Sequence, residues 1–346
     1  DDAGHITGGP AYYISKGLGS HKLAVFFSVS IIIALGCIGN MVQSNSIADA
    51  FKTAFDVPPL VMGLIIAACG AFVFFGGIGR IAAVTEKMVP LMALLYVIGG
   101  LFVVLSNADQ IIPAFKMIFV GAFDPSAATG GIIGAGVKEA IRYGVARGLF
   151  SNEAGMGSAP NVAATADVTH PVKQGLIQTL GVFTDTLVIC TCTAFIILFS
   201  GLASTGEANG IKLTQMALNN EIGDIGTIYV AVAILFFAYS SILGNYYYGE
   251  ANVRYITRQR WAIPVYRISV CGMVMFGALA SLDLAWGLAD IAMGFMTICN
   301  LIAIVLLGKY AFRLLEDYRI QKRSGIKNPV FTKDRMKDIE EDLECW

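Results

Sequence analysis

Long apolar runs separated by short polar stretches dominate this chain. Six runs carry at most one ionisable residue and are long enough for a bilayer core, which takes about 20 residues per helix. A shorter seventh run, Ile268–Leu282, is extended toward the membrane interface by Trp261–Tyr266. The pattern predicts seven membrane helices, at Leu23–Ala48, Val57–Gly79, Met88–Ala108, Gln174–Gly206, Ile225–Gly249, Ile268–Leu282 and Leu284–Gly308.

An eighth crossing, at Leu149–Thr165, is short and interrupted by Glu153, Gly155, Gly157 and Pro160. Broken backbone inside a bilayer is tolerated where it faces protein or a water-filled cavity. Transporters use such breaks as binding sites, because helix N-termini attract an anionic group and freed carbonyls attract a cation. The break therefore predicts a site for an amino acid zwitterion and a sodium ion. A glycine-rich helix-packing face is the alternative.

Composition narrows the class of protein further. Hydrophobic residues make up 56% of the 346 residues and charged residues only 14%, whereas soluble domains carry roughly 25% charge. A water-soluble globule and a disordered chain are both excluded. The net charge of −1 gives no basic surface for nucleic acid. No nucleophile–base pair, cofactor motif or metal-binding spacing is present, so the sequence does not predict an enzyme.

The lysines and arginines predict the orientation. With a cytosolic N-terminus and eight crossings, 18 of them face the cytosol and 6 face outside, as the positive-inside rule requires. We therefore predict a transmembrane transporter domain at 1–308 and a charged cytosolic tail at 309–346, with both ends of this chain cytosolic in a cell membrane. Within the long outer connection, 132–147 is expected to be a helix lying on or entering the bilayer.

Polar residues inside other predicted spans are further candidates. Gln43 lies in a run of amides and hydroxyls, and Ser240 and Ser241 offer hydroxyl oxygens in mid-span. Each has an ordinary structural alternative, either hydrogen bonding between helices or bonding back to a helix carbonyl. The isolated acids Asp185 and Asp290 serve either ion coupling or pairing with a neighbouring helix.

Several motifs together resemble the alanine/glycine:sodium symporter family. They are GGPAYYI at 8–14, GNMVQSNSIA at 39–48, VTEKMVP at 84–90, FSNEAGMGSAP at 150–160 and ECW at 344–346. The resemblance implies an all-α polytopic membrane protein with a leucine-transporter-like fold of ten core helices in two inverted repeats. It also implies sodium-coupled symport of small neutral amino acids, chiefly alanine and glycine. Na⁺ is then the coupling ion, and no other cofactor is expected.

The resemblance also assigns roles to individual residues. Gln43 resembles the substrate-facing amide of the third helix, and 151–158 resembles the unwound sixth helix. Ser240 and Ser241 resemble hydroxyls that face the ion, and Ser241 also faces the substrate. Asn245 stands where the family usually has Trp, which affects the substrate pocket. The implied substrate-binding residues are Gln43, Asn152, Glu153, Gly155, Gly157, Ser241 and Asn245. The implied Na⁺ ligands are Ser240 and Ser241. The helix break is assigned to Gly155, Gly157 and Pro160.

The resemblance further implies two helices ahead of Gly8, so this chain is expected to hold about eight helices of a ten-helix core and not to transport by itself. Two other functions are compatible with the sequence. One is a proton-coupled amino acid transporter that uses Glu153 or Asp185. The other is a membrane sensor that binds an amino acid without transporting it.

Overall fold

The computed structural model describes residues 6–123, 131–202 and 208–338. The regular elements in these ranges are all helical. The motif at 344–346 and the last acids of the tail lie outside the described residues, as do 124–130 in the outer connection.

The first half of the chain forms six α-helices. They are α1 (Pro10–Gly17), α2 (His21–Ile31), α3 (Asn40–Phe55), α4 (Pro59–Phe74), α5 (Gly77–Ser106) and α6 (Ile111–Phe123). A π-helical segment, Ile32–Gly39, joins α2 to α3 without a break, and a short 3₁₀ turn, Ala108–Gln110, precedes α6. The span predicted at Leu23–Ala48 is therefore part of one helical rod, His21–Phe55.

The second half contains the interrupted helix and the longest rods. Its helices are α7 (Gly131–Asn152), α8 (Ala159–Ala163), α9 (Pro171–Thr184), α10 (Thr191–Phe199), α11 (Gly210–Ile222), α12 (Asp224–Ile256), α13 (Ala262–Leu279) and α14 (Leu282–Arg323). A second π-helical segment, Asp185–Cys190, joins α9 to α10. A 3₁₀ turn at Lys333–Met336 follows α14.

Six helical stretches of the described chain are long and apolar enough to span a membrane. They correspond to six of the seven uninterrupted spans that the sequence predicts, and the seventh, predicted at Val57–Gly79, is the 16-residue helix α4. The class of an all-helical polytopic membrane protein is confirmed, and the inverted-repeat arrangement stays a prediction. Large apolar side chains such as Phe72 and Val305, which are 71% and 78% exposed, are suited to contact lipid.

Two helices extend beyond the predicted apolar runs. The span predicted at Met88–Ala108 begins at Gly77 and passes through Glu86 and Lys87, and the span predicted at Leu284–Gly308 continues to Arg323. Hydropathy marks only the part of a helix that lies in hydrocarbon. Charged residues with good helix propensity carry the same rod into water.

Helix α3 packs between α12 and α13, and small residues allow the close approach. A Cβ on Gly277 would lie 2.3 Å from the carbonyl oxygen of Met41, so the two backbones touch. The hydroxyl of Ser44 donates to Val274 O at 2.7 Å, and Asn45 Nδ2 donates to Gly277 O at 3.0 Å. Ser44 and Asn45, two members of the polar run, therefore form hydrogen bonds between α3 and α13. This is the ordinary structural role that the sequence allowed for residues in this run.

The chain after α14 turns at Gly325 (φ 84°) and returns along the end of α14. The Phe331 N–H donates to Thr169 O at 2.9 Å, in the loop between α8 and α9. The His170 ring is fully buried, and its Nδ1 accepts the Val172 N–H while Nε2 lies 3.2 Å from an Asp317 oxygen. The chain that follows α14 is thus docked on α14 and on the loop between α8 and α9.

Candidate functional site

The interrupted helix is the centre of the candidate site. Helix α7 ends at Asn152 and α8 begins at Ala159, so six residues have no regular helical structure. Glu153, Gly155 and Gly157 have φ values of 51°, 75° and 94°. This left-handed backbone is open to glycine and strained for Glu153. The predicted break between α7 and α8 is therefore present, and Pro160 lies in the first turn of α8, where proline is tolerated.

Three asparagines, which we call the asparagine frame, hold the freed carbonyls of the break. Asn300 of α14 donates from Nδ2 to Gly155 O at 2.8 Å. Asn161 donates from Nδ2 to Gly157 O at 2.9 Å. Asn252 of α12 does not reach the break itself, but its Nδ2 donates to Asn161 Oδ1 at 3.0 Å and fixes the Asn161 amide. All three side chains are buried. A broken backbone is thereby satisfied by side chains, as the bilayer interior demands.

The break is also fixed by close packing at Gly157. A Cβ there would lie 2.8 Å from the Phe27 ring and 2.9 Å from Asn300 Cγ, so only glycine fits. Tyr13 of α1 donates its hydroxyl proton to Asn300 Oδ1. Helices α1, α2 and α14 therefore all support the interrupted segment.

The Glu153 carboxylate turns back onto the break. It accepts a hydrogen bond from the Ser158 hydroxyl, and the Tyr248 hydroxyl of α12 lies within hydrogen-bonding reach. No ion pair joins Glu153 to a lysine or arginine in the described ranges. The carboxylate is thus held by hydroxyl groups alone.

A cavity of about 770 Å³ lies beside the break. This volume is within the range of small-molecule sites. Polar side chains from three helices line part of its wall, among them Tyr13 of α1, Gln178 of α9 and Asn300 of α14. The predicted residues Asn152, Glu153, Gly155, Gly157 and Pro160 all line this cavity.

Gln43 and Asn245 lie elsewhere, at the contact between α3 and α12. A Cβ on Gly39 would lie 3.0 Å from Asn245 Nδ2. Gln43 is four residues beyond Gly39 on the same helical rod, so it projects from the same face. Asn245 is buried and Gln43 half-buried, yet neither amide makes a hydrogen bond within the described residues. Two unpartnered amides therefore share one helix interface.

Ser240 and Ser241 both donate their hydroxyl protons to Phe237 O, at 2.8 and 3.0 Å. This is the back-bonding that serines often show in helices. Their oxygens keep lone pairs that can accept a cation. Their role as Na⁺ ligands stays a prediction.

The two isolated membrane acids have different surroundings. Asp290 of α14 is held by both oxygens to Arg147 Nη2, at 2.7 and 2.9 Å, and Trp286 lies against the same guanidinium with its ring centre 4.1 Å away. Asp185 instead accepts a hydrogen bond from Ser151 Oγ at 2.6 Å. Asp290 is therefore paired with a charged residue of a neighbouring helix. Asp185 contacts only uncharged groups in the described ranges.

The asparagine frame was not among the predicted site residues. The sequence does contain a signal for it. Asn300 interrupts an apolar run and Asn252 lies shortly after one, and a buried amide in a membrane helix needs a hydrogen-bond partner. Which partner each amide has depends on the tertiary structure.

The comparisons with known proteins identify the family. Residues 1–333 match the model of the sodium:alanine symporter family. The chain belongs to that family. Its members are sodium-coupled transporters of amino acids and not enzymes, which agrees with the membrane-spanning helices and with Na⁺ as the coupling ion.

Individual members of the sodium:alanine symporter family are similar along all or nearly all of the chain. The probable sodium/glutamine symporter GlnT of Bacillus subtilis is 48% identical over 100% of this chain and 71% of its own length. The amino-acid carrier protein AlsT of the same organism is 44% identical over 100% of this chain and 72% of its own length. The sodium/alanine symporter AgcS of Methanococcus maripaludis is 42% identical over 95% of this chain and 73% of its own length.

Proposed function

We propose that this protein couples Na⁺ entry to the uptake of a small neutral amino acid, by alternating access of a leucine-transporter-like core. The observation that carries the proposal is the interrupted helix, which is held open by the asparagine frame beside a cavity of about 770 Å³. Alanine and glycine are the substrates that we expect first, because a small zwitterion needs little more than backbone groups for recognition.

Backbone chemistry at the break supports recognition of both charged ends of a zwitterion. Left-handed residues turn successive peptide groups toward a common side, and such arrangements bind anions through N–H groups. The break therefore binds the substrate carboxylate. Freed carbonyls of the break accept hydrogen bonds from its ammonium group. This assignment uses the predicted residues Asn152, Glu153, Gly155 and Gly157 as walls of one site. The substrate-facing roles of Gln43 and Ser241 stay predictions.

The membrane potential supplies part of the driving force. Moving one charge inward is worth about 2.3 kcal/mol per 100 mV. At about 1.4 kcal/mol per tenfold ratio, one Na⁺ per amino acid supports an accumulation of roughly 50-fold from the voltage alone. The cytosolic excess of Lys and Arg agrees with the orientation that this requires.

Radiolabelled uptake into liposomes that contain the full-length protein tests the proposal. We expect alanine uptake with an inward Na⁺ gradient and none when K⁺ replaces Na⁺ at fixed pH. Equal uptake in K⁺ would exclude sodium coupling, and uptake that follows a pH gradient would identify proton coupling. Saturable binding without uptake would identify a sensor.

A second candidate substrate is an amino acid with a side-chain amide. The unpartnered Gln43 and Asn245 amides can exchange hydrogen bonds with a glutamine side chain. The similar protein from Bacillus subtilis named a probable sodium/glutamine symporter supports this alternative. Labelled glutamine and alanine should therefore be compared in the same liposomes.

A further inference from the structure

The loop between α8 and α9 forms part of the wall of the cavity beside the break. Ala164, Ala166 and Val168 of this loop line the cavity. The loop follows directly from α8, which is the second half of the interrupted helix. A movement of α8 that opens this side of the cavity must therefore displace the loop.

The chain after α14 is bound to this loop. Residues 326–338, which we call the return segment, contact Thr169 through two hydrogen bonds. The Thr169 carbonyl oxygen accepts the Phe331 N–H at 2.9 Å, and the Thr169 hydroxyl donates to Pro329 O at 2.9 Å. The buried Phe331 ring lies edge-on to the His170 ring, with the ring centres 5.7 Å apart. Two successive loop residues thus hold the return segment.

The Asp317 carboxylate of α14 joins the loop and the return segment. Nδ1 of His170 accepts the Val172 N–H, so Nε2 carries the ring proton and donates to Asp317 Oδ2 at 3.2 Å. Asp317 also accepts hydrogen bonds from Gln321 Nε2 at 2.8 Å and from Arg335 Nη1 at 2.5 Å. One carboxylate therefore ties together α14, the loop and the return segment.

Displacement of the loop would break these contacts together. The His170 ring is fully buried, and a buried polar group that loses its partner is costly. The Thr169 carbonyl would lose the Phe331 N–H at the same time. The return segment therefore favours the position of the loop in which the cavity wall is in place.

We propose that the return segment is a strap that holds the loop wall of the cavity closed and thereby slows opening of the cavity on this side. The inference rests on the proposed alternating access and adds to it a device that limits the rate of transport. The hydrogen bonds of the strap described above involve none of the residues predicted to bind the amino acid or Na⁺. Weakening the strap should therefore change the rate of opening and leave sodium dependence unchanged.

Thiol labelling of the full-length protein in detergent tests whether the strap closes the wall. Ala166→Cys places a thiol on the cavity wall, and mass spectrometry separates label at this position from label at the native cysteines. Adding Phe331→Ala should raise the rate of labelling by a water-soluble maleimide about tenfold, because the buried ring that packs on the loop is removed. Adding Thr169→Val, which removes the hydrogen bond to Pro329 O, should raise it about threefold.

Thr165→Val is the matched control for these variants. Thr165 lies on the same loop, and within the described residues its hydroxyl bonds to Val162 O, at 2.8 Å, and not to the return segment. The labelling rate at position 166 should be the same with and without this substitution.

Alanine uptake by liposomes shows whether the strap restrains transport. Phe331→Ala in the full-length protein should raise the maximal rate per folded protein about twofold to fivefold, because opening and release steps set the turnover of many proteins that move between conformations. The Na⁺ concentration for half-maximal uptake should stay within about twofold of wild type, since the strap does not contact the predicted ion ligands.

Defined outcomes would overturn the inference. Equal labelling at position 166 with and without Phe331→Ala would exclude a strap. Faster labelling with a lower maximal rate would show that the segment supports transport and does not restrain it. If Phe331→Ala does not elute as a folded protein, Thr169→Val decides by the same two measurements. Failure of the proposed function is distinguishable, since wild-type protein would then show no sodium-dependent uptake while thiol labelling still reports on the strap.

Discussion

Asn245 shows how one side chain can set the chemistry of a pocket. It is only 4% exposed, its amide lies against the π-helical segment at Gly39, and it makes no hydrogen bond within the described residues. The Asn245 amide atoms are not among the fully buried, unpartnered atoms of the described residues. The amide is therefore open to a ligand that can exchange hydrogen bonds with it.

Replacing this amide tests its role in substrate choice. Asn245→Leu keeps the size but removes the hydrogen-bonding groups, so glutamine uptake should fall about tenfold or more, since one lost hydrogen bond is worth about 1.4 kcal/mol. Alanine uptake should stay within about twofold. Competition between the two labelled substrates in liposomes measures both effects. A parallel fall in both would assign Asn245 to structure alone.

At the same scale, the glycines of the break have distinct reasons for being glycine. Gly155 needs a positive φ, while Gly157 needs a positive φ and also has no room for a Cβ beside Phe27 and Asn300. The sequence identified both positions as helix breakers. Only the packing shows that Gly157 is also a contact point between α2 and α14.

Among the elements, α7 and α14 are tied by a second contact, in the last turns of α7 ahead of the break. Arg147 lies one turn before the end of α7, and its guanidinium binds Asp290 and packs against Trp286. Both charged side chains are about one-third exposed. The pair therefore compensates two charges that the membrane would otherwise disfavour.

Removing one charge of this pair should destabilise the protein. Arg147→Gln leaves Asp290 uncompensated, and we expect a loss of about 1–2 kcal/mol, which is below the cost at a fully buried pair because water screens these groups. The double variant Arg147→Gln, Asp290→Asn should recover most of this loss. Thermal unfolding in detergent measures the effect. A double variant as unstable as the single one would show that charge compensation is not the reason.

For the whole molecule, the chain that follows α14 folds back onto that helix. Gln321 donates from Nε2 to Val330 O at 2.9 Å and accepts the Val330 N–H at 3.0 Å, so it closes the returning chain onto α14. Arg313 binds both oxygens of Asp338, at 2.7 and 2.8 Å. These contacts keep Phe331 beside the buried His170 ring.

Loss of the Gln321 contacts should release this segment. Gln321→Ala is expected to lower hydrogen-exchange protection across residues 326–331, because two hydrogen bonds that fold the chain back are lost. Arg319→Ala, an exposed position on the same helix, is the control and should have no effect. Equal protection in both variants would show that the tail is held by other contacts.

The pH dependence of the tail contact follows from Asp338. The hydrogen bond from the Arg313 guanidinium lowers the pKa of the Asp338 carboxyl below its ordinary value. A group with a lowered pKa in the folded state stabilises that state above its unfolded pKa and loses the effect as pH falls. The contact is therefore complete at neutral pH, and the difference between Gln321→Ala and wild type should be the same at pH 6 and pH 8.

The sequence by itself determined the class of protein, the predicted membrane spans and the position of the break. Apolar runs of bilayer length and a cluster of helix breakers are local properties, because they depend only on which side chains follow one another. The family motifs are equally local. The apolar run ends at Gly308 although helix α14 continues to Arg323, because hydropathy does not report helix outside hydrocarbon.

Only the tertiary structure decided which polar groups meet. It paired Asp290 with Arg147, left Asp185 with Ser151, and placed Asn161, Asn252 and Asn300 around the break. These partners come from segments that are far apart in the chain, and their meeting depends on how the helices rotate and pack. A buried amide or carboxylate in a sequence shows that a partner is needed, whereas the packing of helices decides which partner is within reach.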